Sequence, residues 1–269
     1  MATLLELDPV KEAQRRMWAS GDYAAVAARL QITSENLLDA ADLRPGTRVL
    51  DVAAGSGNAT LAAMRCGCQA LGVDYVPSLL ERARGRIAAE GFVAEFVEGD
   101  AEALPFPDAS FDGVVSAFGV MFAPDHHRAA AELLRVCRRG GTIALACWTP
   151  DGFVGEMFGT VAAHAPVPPP GPPPTLWGTE EHVAALLGDG VESLRTTRRV
   201  FTLRSRSPEE FADYFLTRFG PILAVASALD DDGRRAFRDD LVALARRHSR
   251  RDDAMVAPGP YLETIAVRA

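Results

Sequence analysis

Apolar and polar positions alternate along this chain at two periods, and the switch between them marks its elements. Residues 9–42 carry helical spacing broken at Ser20-Gly21-Asp22. An alanine-rich second helix is expected over Tyr23–Leu30, and Ser34 is expected to cap a third that places Leu37, Leu38 and Ala41 on one face. Pro45-Gly46 closes that region. Short apolar runs then alternate with helical patterns. Strands are expected at Thr47–Val52, Ala70–Asp74, Val93–Val97, Phe111–Ser116 and Thr142–Trp148. Between them, helices are expected at Asn58–Arg65, at Pro77–Ala89 with proline in the first turn, and at Asp125–Arg138, with Gly140-Gly141 stopping the last. This order predicts an α/β, doubly wound, mostly parallel seven-stranded sheet, Rossmann-like, with helices on both faces.

After Trp148 the pattern changes. The prolines of segment 166–174 lack the N–H that a ladder or helix needs, so this stretch reads as a surface connector within an insertion. Thr179 is expected to cap a short helix to Leu187. Glu192–Leu203 reads as a long strand, Ser207–Phe219 and Arg234–Arg247 as helices, and Tyr261–Val267 as a closing strand. The expected organisation is an N-terminal helical cap (1–44), a cofactor-binding core (45–150), an insertion or lid (151–190) and a C-terminal completion of the sheet (191–269).

Composition narrows the partners. With 28 basic and 36 acidic residues among 269, the chain has a formal charge of −8 and little to offer a phosphate backbone, which argues against nucleic acid. Its one basic patch, Arg246–Arg251, is flanked by Asp252-Asp253 and reads as a solvated helix end. The N-terminus lacks the basic start and long apolar core of a secretory signal, and no run approaches the roughly 18 apolar residues of a membrane span. A cytoplasmic location without membrane contact is expected, as a monomer or homodimer. Cys66, Cys68, Cys137 and Cys147 lack a second pair at zinc-ligand spacing and read as buried, reduced thiols, so no metal is expected.

The chemistry gathers at strand ends. Asp51-Val-Ala-Ala-Gly-Ser-Gly57 leads a strand through a carboxylate and a glycine turn into a helix. Glycines there let backbone approach a polar group closely. A dinucleotide turn, G-x-G-x-x-G, wants a third small residue where Thr60 stands, and Asp51 would repel a pyrophosphate. A cofactor with an ammonium group and no phosphate suits this turn better. Asp74, ending the second strand, stands where such sheets accept ribose hydroxyls. In Glu98-Gly99-Asp100-Ala101-Glu102, the Asp100 carboxylate and the Ala101 amide together suit the edge of adenine.

These motifs resemble the core of the class I S-adenosylmethionine-dependent methyltransferases, particularly the ubiquinone/menaquinone-biosynthesis branch. The matching elements are Val49–Gly57, Gly72-Val73-Asp74, Gly99–Phe106, Phe111-Asp112 and Leu134–Gly141. Two positions depart from the pattern: Ala53 where glycine is usual, and Arg139 where proline often precedes the glycine pair.

The resemblance implies that S-adenosylmethionine is the cofactor. Backbone at Ala53 and Gly55, in the turn that Gly57 completes, would hold its methionine moiety, with Asp51 orienting the loop. Asp74, with Tyr75 beside it, would hold the ribose, and Asp100 with Ala101 the adenine. Ser116 backbone would lie near the sulfonium, and Tyr23 would close over the cofactor. Phe118, Met121, Phe122 and Trp148 would face the acceptor, giving an apolar pocket that accepts aromatic groups. The activity implied is methyl transfer to an O, N or C atom of a small molecule. The alternatives are an S-adenosylmethionine-binding protein without methyl transfer, or an NAD(P)-dependent oxidoreductase. No catalytic residue is assigned, because an activated methyl needs a base only when the acceptor must lose a proton. His126 and His127 are the nearest candidates for one, with His164, Tyr214 and His248 unplaced.

Overall fold

Seven strands form one sheet in the order β3-β2-β1-β4-β5-β7-β6 in the computed structural model, which describes residues 6–167 and 171–269. The leading leucines Leu4 and Leu5 and the centre of the proline-rich connector, 168–170, lie outside the described residues. Three helices come first: α1 (Pro9–Ala19), α2 (Tyr23–Ala28) and α3 (Gln31–Ala41). Asp8 starts α1 by accepting hydrogen bonds from the amides of Val10 and Lys11, with Pro9 in the first turn.

The central layers follow as β1 (Arg48–Val52), α4 (Asn58–Arg65), β2 (Gln69–Asp74), α5 (Pro77–Ala89), β3 (Glu95–Glu98), β4 (Phe111–Ala117), α6 (His126–Val136) and β5 (Cys137–Trp148). All pairings among β1 to β5 are parallel. Val49, Leu50 and Val52 are completely buried, as a central strand covered on both faces requires. Beyond β5 come α7 (Phe153–His164), α8 (Glu180–Leu187), β6 (Val191–Ser205), α9 (Pro208–Arg218), α10 (Gly220–Ala228), α11 (Asp231–His248) and β7 (Met255–Arg268). Strand β7 runs antiparallel between β5 and β6, so the sheet is mixed at that end.

Several sequence expectations need correction. Ser34 lies inside α3, buried and with its hydroxyl unpartnered, because the helix already begins at Gln31. Thr179 precedes α8, but its hydroxyl donates back to the Leu176 carbonyl at 2.8 Å and caps nothing. The third strand begins at Glu95, leaving Val93 almost fully exposed. Helix α6 stops at Val136, and the glycine pair falls inside β5, at its irregular start beside β4. There Gly141 lies so close to the Asp112 carbonyl that a Cβ would meet it at 2.7 Å. Helices α7 and α10 were not expected. Cys66 is exposed, whereas the other three thiols are buried. The Arg246–His248 cluster does form the end of α11.

The order reverses direction at β1 and β4, and a crevice outside the carboxyl ends of adjacent strands at such a point is where open α/β sheets bind ligands. Helices α1 and α2 cover that end. Trp18 of α1 packs edge-on against Tyr23 and Phe122, at 5.3 and 4.8 Å between ring centroids. From the C-terminal half, Phe219 reaches the same cluster at 5.7 Å from Trp18.

Candidate active site

Two cavities meet at the carboxyl end of the sheet. The first is a narrow crevice bordered by Ala53 and Gly55 after β1, Asp74 and Tyr75 at the end of β2, Gly99, Asp100 and Ala101 after β3, and Gly119 after β4. Tyr23 forms its lid on one side. The second is a cavity of about 470 Å³ whose walls are mostly aromatic, including Phe118, Trp148, Phe158, Phe211 and Phe215. Trp18, Tyr23, Phe118 and Phe122 border both spaces. These four rings therefore form the partition between them.

Left-handed backbone shapes the crevice mouth. Ala53 (φ 53°) and Phe118 (φ 57°) are two of the few non-glycine residues with positive φ among those described, and they follow adjacent strands. Such conformations cost on the order of 1 kcal/mol each and collect at functional sites. They bring the two loops together so closely that a Cβ on Gly119 would sit 2.4 Å from the Ala53 carbonyl oxygen. Gly55 (φ 54°) lies under Tyr23, whose ring would be 3.3 Å from an added Cβ. A side chain there would fill the cradle.

The carboxylates divide into two kinds. Asp74 faces the crevice, and its oxygens accept from the amides of Gly55 at 2.8 Å and Val76 at 2.9 Å. Burial pushes its pKa up to about 6 against the pull of these amides. Asp51 instead turns into the fold, where Oδ2 accepts from the Thr60 amide at 2.8 Å and hydroxyl at 2.7 Å. It does not border the crevice, and burial, opposed by Thr60 and reinforced by Asp74, pushes it up to about 7. Asp51 thus ties the glycine turn to the first turn of α4.

Sequence reasoning missed Lys11. Its ammonium lies 2.6 Å from Asp100 Oδ2 and 2.5 Å from Glu102 Oε2, with all three side chains buried. Burial lowers the lysine's proton affinity, but the two carboxylates outweigh it and hold Lys11 above its ordinary value. The other Asp100 oxygen accepts from the Glu102 amide at 2.9 Å. The only signal in the sequence was a lone lysine in an amphipathic helix, with nothing to mark it as inward-facing.

Ser116, Gly57 and Met121 fall outside the cavities, whereas Phe118, Phe122 and Trp148 line the larger one. Ser116 is buried, its hydroxyl donating to the Val52 carbonyl at 2.7 Å and accepting from the Val120 amide at 2.9 Å, so it fastens the end of β4 to that of β1. Gly57 precedes α4 at φ 80°, packed on Ala83 and Phe96. Met121 points into the core from the short 3-10 turn Val120–Phe122, and the ring from that turn that lines the larger cavity is Phe122. Phe118 and Trp148 stack at 4.0 Å and 10°.

The histidines lie elsewhere. His126 is buried beside Trp177, with Nδ1 2.9 Å from His182 Nε2, and burial, with help from His182 and His127, lowers it to about 4. His164 and His248 pair with Asp240 and Glu156 at 2.7 and 3.0 Å. Tyr214 lies beneath the Arg29 guanidinium at 3.8 Å. Neither His126, His127, His164, Tyr214 nor His248 borders either cavity. Among the described residues no cluster of side chains suited to a metal is found, and no helix is long and apolar enough to cross a membrane.

A crevice at the β1/β4 reversal, with carboxylates at the ends of β2 and β3, is the place where open α/β sheets take a nucleoside-containing cofactor. Residues 50–145 match the family model described as a methyltransferase domain. An uncharacterised protein of Mycobacterium tuberculosis is 44% identical over 239 residues, 87% of each chain. The demethylmenaquinone methyltransferase of Thermus thermophilus is 34% identical over 152 residues, 51% of this chain and 69% of that protein. Among solved structures, the YcgJ protein from Bacillus subtilis superposes with a TM-score of 0.58 at 21% identity, over 88% of this chain and 98% of that one. Phosphoethanolamine N-methyltransferase 2 of Haemonchus contortus, in complex with S-adenosyl-L-methionine, gives 0.54 at 17%, over 88% and 52%. At these identities the structural likeness is one of fold. The chain belongs to the class I S-adenosylmethionine-dependent methyltransferases, in the branch of the quinone-biosynthesis enzymes. It is an enzyme, and its cofactor is S-adenosylmethionine.

The crevice suits that cofactor by charge. Asp74, Asp100 and Glu102 are buried in or just behind its wall, with Lys11 as the counter-ion to the last two. The imbalance favours a ligand carrying an ammonium and a sulfonium. A pyrophosphate would meet the same carboxylates with repulsion.

Proposed function

We propose that this methyltransferase acts on a small, largely apolar molecule, transferring the methyl to an O, N or C atom that enters from the aromatic cavity. The observation that carries this reading is the four-ring partition: the 470 Å³ cavity touches the cofactor crevice only through Trp18, Tyr23, Phe118 and Phe122. A space of that size suits a drug-sized ligand and not a folded macromolecule.

In this reading Asp74 accepts from the ribose hydroxyls and the strained turn at Ala53 and Gly55 receives the methionine moiety. The backbone at Ala101 and the carboxylate of Asp100 border the adenine side. Held there, S-adenosylmethionine would supply a methyl already activated on sulfur, with the thioether sulfur as the group that leaves with the bonding pair. The protein's own contribution is positioning and exclusion of water. Tyr23 and Phe118 hold the reacting groups between flat apolar faces. Among the described residues no Asp, Glu or His borders the acceptor cavity, and Tyr23, pushed up to about 12 by burial and then by Asp74, is a poor base. The accepting atom is therefore one that is nucleophilic without help from the lining, and any proton it carries leaves to solvent.

The test is incubation of the purified protein with S-adenosylmethionine and a metabolite panel, following S-adenosylhomocysteine. Turnover with small apolar acceptors is expected. Methylation confined to protein or RNA would overturn the reading.

A further inference from the structure

The acceptor cavity carries charge opposite to that of the cofactor crevice. Among the described residues its lining holds two charged side chains, Arg29 and Arg204, and no carboxylate. In a chain of net charge −8 this is selective placement. Arg29 follows α2 and is exposed, its guanidinium lying over the ring of Tyr214 at 3.8 Å. That stacking holds the planar fork in place and leaves its edge N–H groups free to donate. Arg204 stands near the end of β6, opposite Val256 of β7, and is also exposed. Neighbouring arginines are already committed: Arg199 to Glu263 at 3.1 Å and Arg206 to Glu210 at 2.9 Å. Neither Arg29 nor Arg204 has a carboxylate within ion-pair distance among the described residues. Neither borders the cofactor crevice, which the four partition rings do.

We propose that the acceptor is an aromatic compound bearing an anionic group, with its rings between the aromatic walls and its oxyanion held at the mouth by Arg29 and Arg204. The anion is an anchor and stays unmethylated; the accepting atom lies at the other end, against the partition. This inference rests on the reading of the larger cavity as the acceptor site.

Two fluorescent probes with the same ring system separate charge from apolar character: 1-anilinonaphthalene-8-sulfonate and uncharged N-phenyl-1-naphthylamine, titrated into the full-length protein. The sulfonate is expected to bind about tenfold more tightly than the neutral probe, the gain of charge-assisted hydrogen bonds to two guanidiniums. The double variant Arg29→Gln/Arg204→Gln is expected to lose that tenfold for the sulfonate and to keep the neutral affinity within twofold. Val154→Trp, which fills the cavity, should weaken both probes while the far-ultraviolet circular dichroism stays unchanged. Equal affinities on the wild type, or sulfonate binding untouched by the glutamines or by the filled cavity, would overturn the proposal. Calorimetry with S-adenosylmethionine is run alongside. Cofactor binding with no charge preference sinks this inference alone, whereas absent cofactor binding sinks the methyl-transfer reading whatever the probes do.

Discussion

Lys11 Nζ lies 2.6 Å from Asp100 Oδ2, an ion pair buried at the junction of the first helix and the loop after β3. It fastens α1 to the sheet in a way that apolar packing alone would not, because it has one register. Lys11→Met should leave Asp100 and Glu102 as buried carboxylates without a counter-ion, costing about 3 kcal/mol in urea denaturation. The raised lysine value gives the sign of the pH effect. The pair's contribution is present below the ordinary lysine range and is lost as pH rises through the elevated folded value. The variant should therefore lose less stability than the wild type on alkaline titration.

Asp74→Asn should weaken S-adenosylmethionine binding by about 1–3 kcal/mol in calorimetry, the loss expected for charge-assisted hydrogen bonds. Because Asp74 is held at about 6, wild-type affinity should fall as pH drops through that value. Ribose hydroxyls favour the ionised form, so binding near pH 6 should release protons, visible as a dependence of the heat on buffer. Affinity unaltered in the variant would place the ribose elsewhere.

Asp51 holds its proton up to about pH 7, whereas the unfolded chain loses it near the ordinary aspartate value. Across that interval the native state binds more protons, so this group makes stability decline as pH rises. Asp51→Asn should flatten the decline between pH 4 and pH 7, and thermal melts of both proteins across the range measure it.

Gly119→Ala and Ala53→Gly should act in opposite directions. A Cβ at 119 collides with the Ala53 carbonyl, and separating the two loops should cost at least about 2 kcal/mol and distort the crevice. Glycine at 53 relieves a left-handed alanine, for a gain of roughly 0.5 kcal/mol after its larger unfolded entropy is counted. Denaturation midpoints and cofactor affinity together check both.

The parallel half of the sheet was legible because its signals are local: Val49-Leu50 before Asp51, Pro77 in the first turn of α5, and Asp74 closing an apolar run. Helix α10 was not, since Gly220-Pro221 opens it and its apolar residues show no period. Helix α7 carries Gly155 and Gly159, which read as loop; a Cβ on Gly155 would meet the Pro150 carbonyl oxygen at 2.1 Å. In the site, the strand-end residues Ala53, Gly55, Asp74, Asp100 and Ala101 stand at the crevice because a strand end fixes where its next residue points. Met121 does not follow that rule, as a 3-10 turn sends successive side chains to different sides. Lys11 lies 89 positions from Asp100, and no local pattern marks such a pairing.

The four-ring partition also bears on kinetics. Trp18 and Tyr23 belong to the first two helices, so the part of the chain that lids the crevice is also a wall of the larger chamber, the one proposed for the acceptor. A lid that moves to admit cofactor leaves that chamber without one of its sides. Cofactor is then expected to bind first and S-adenosylhomocysteine to depart last, an obligatory order that product-inhibition patterns would reveal. In that sense the N-terminal helices act as a turnstile.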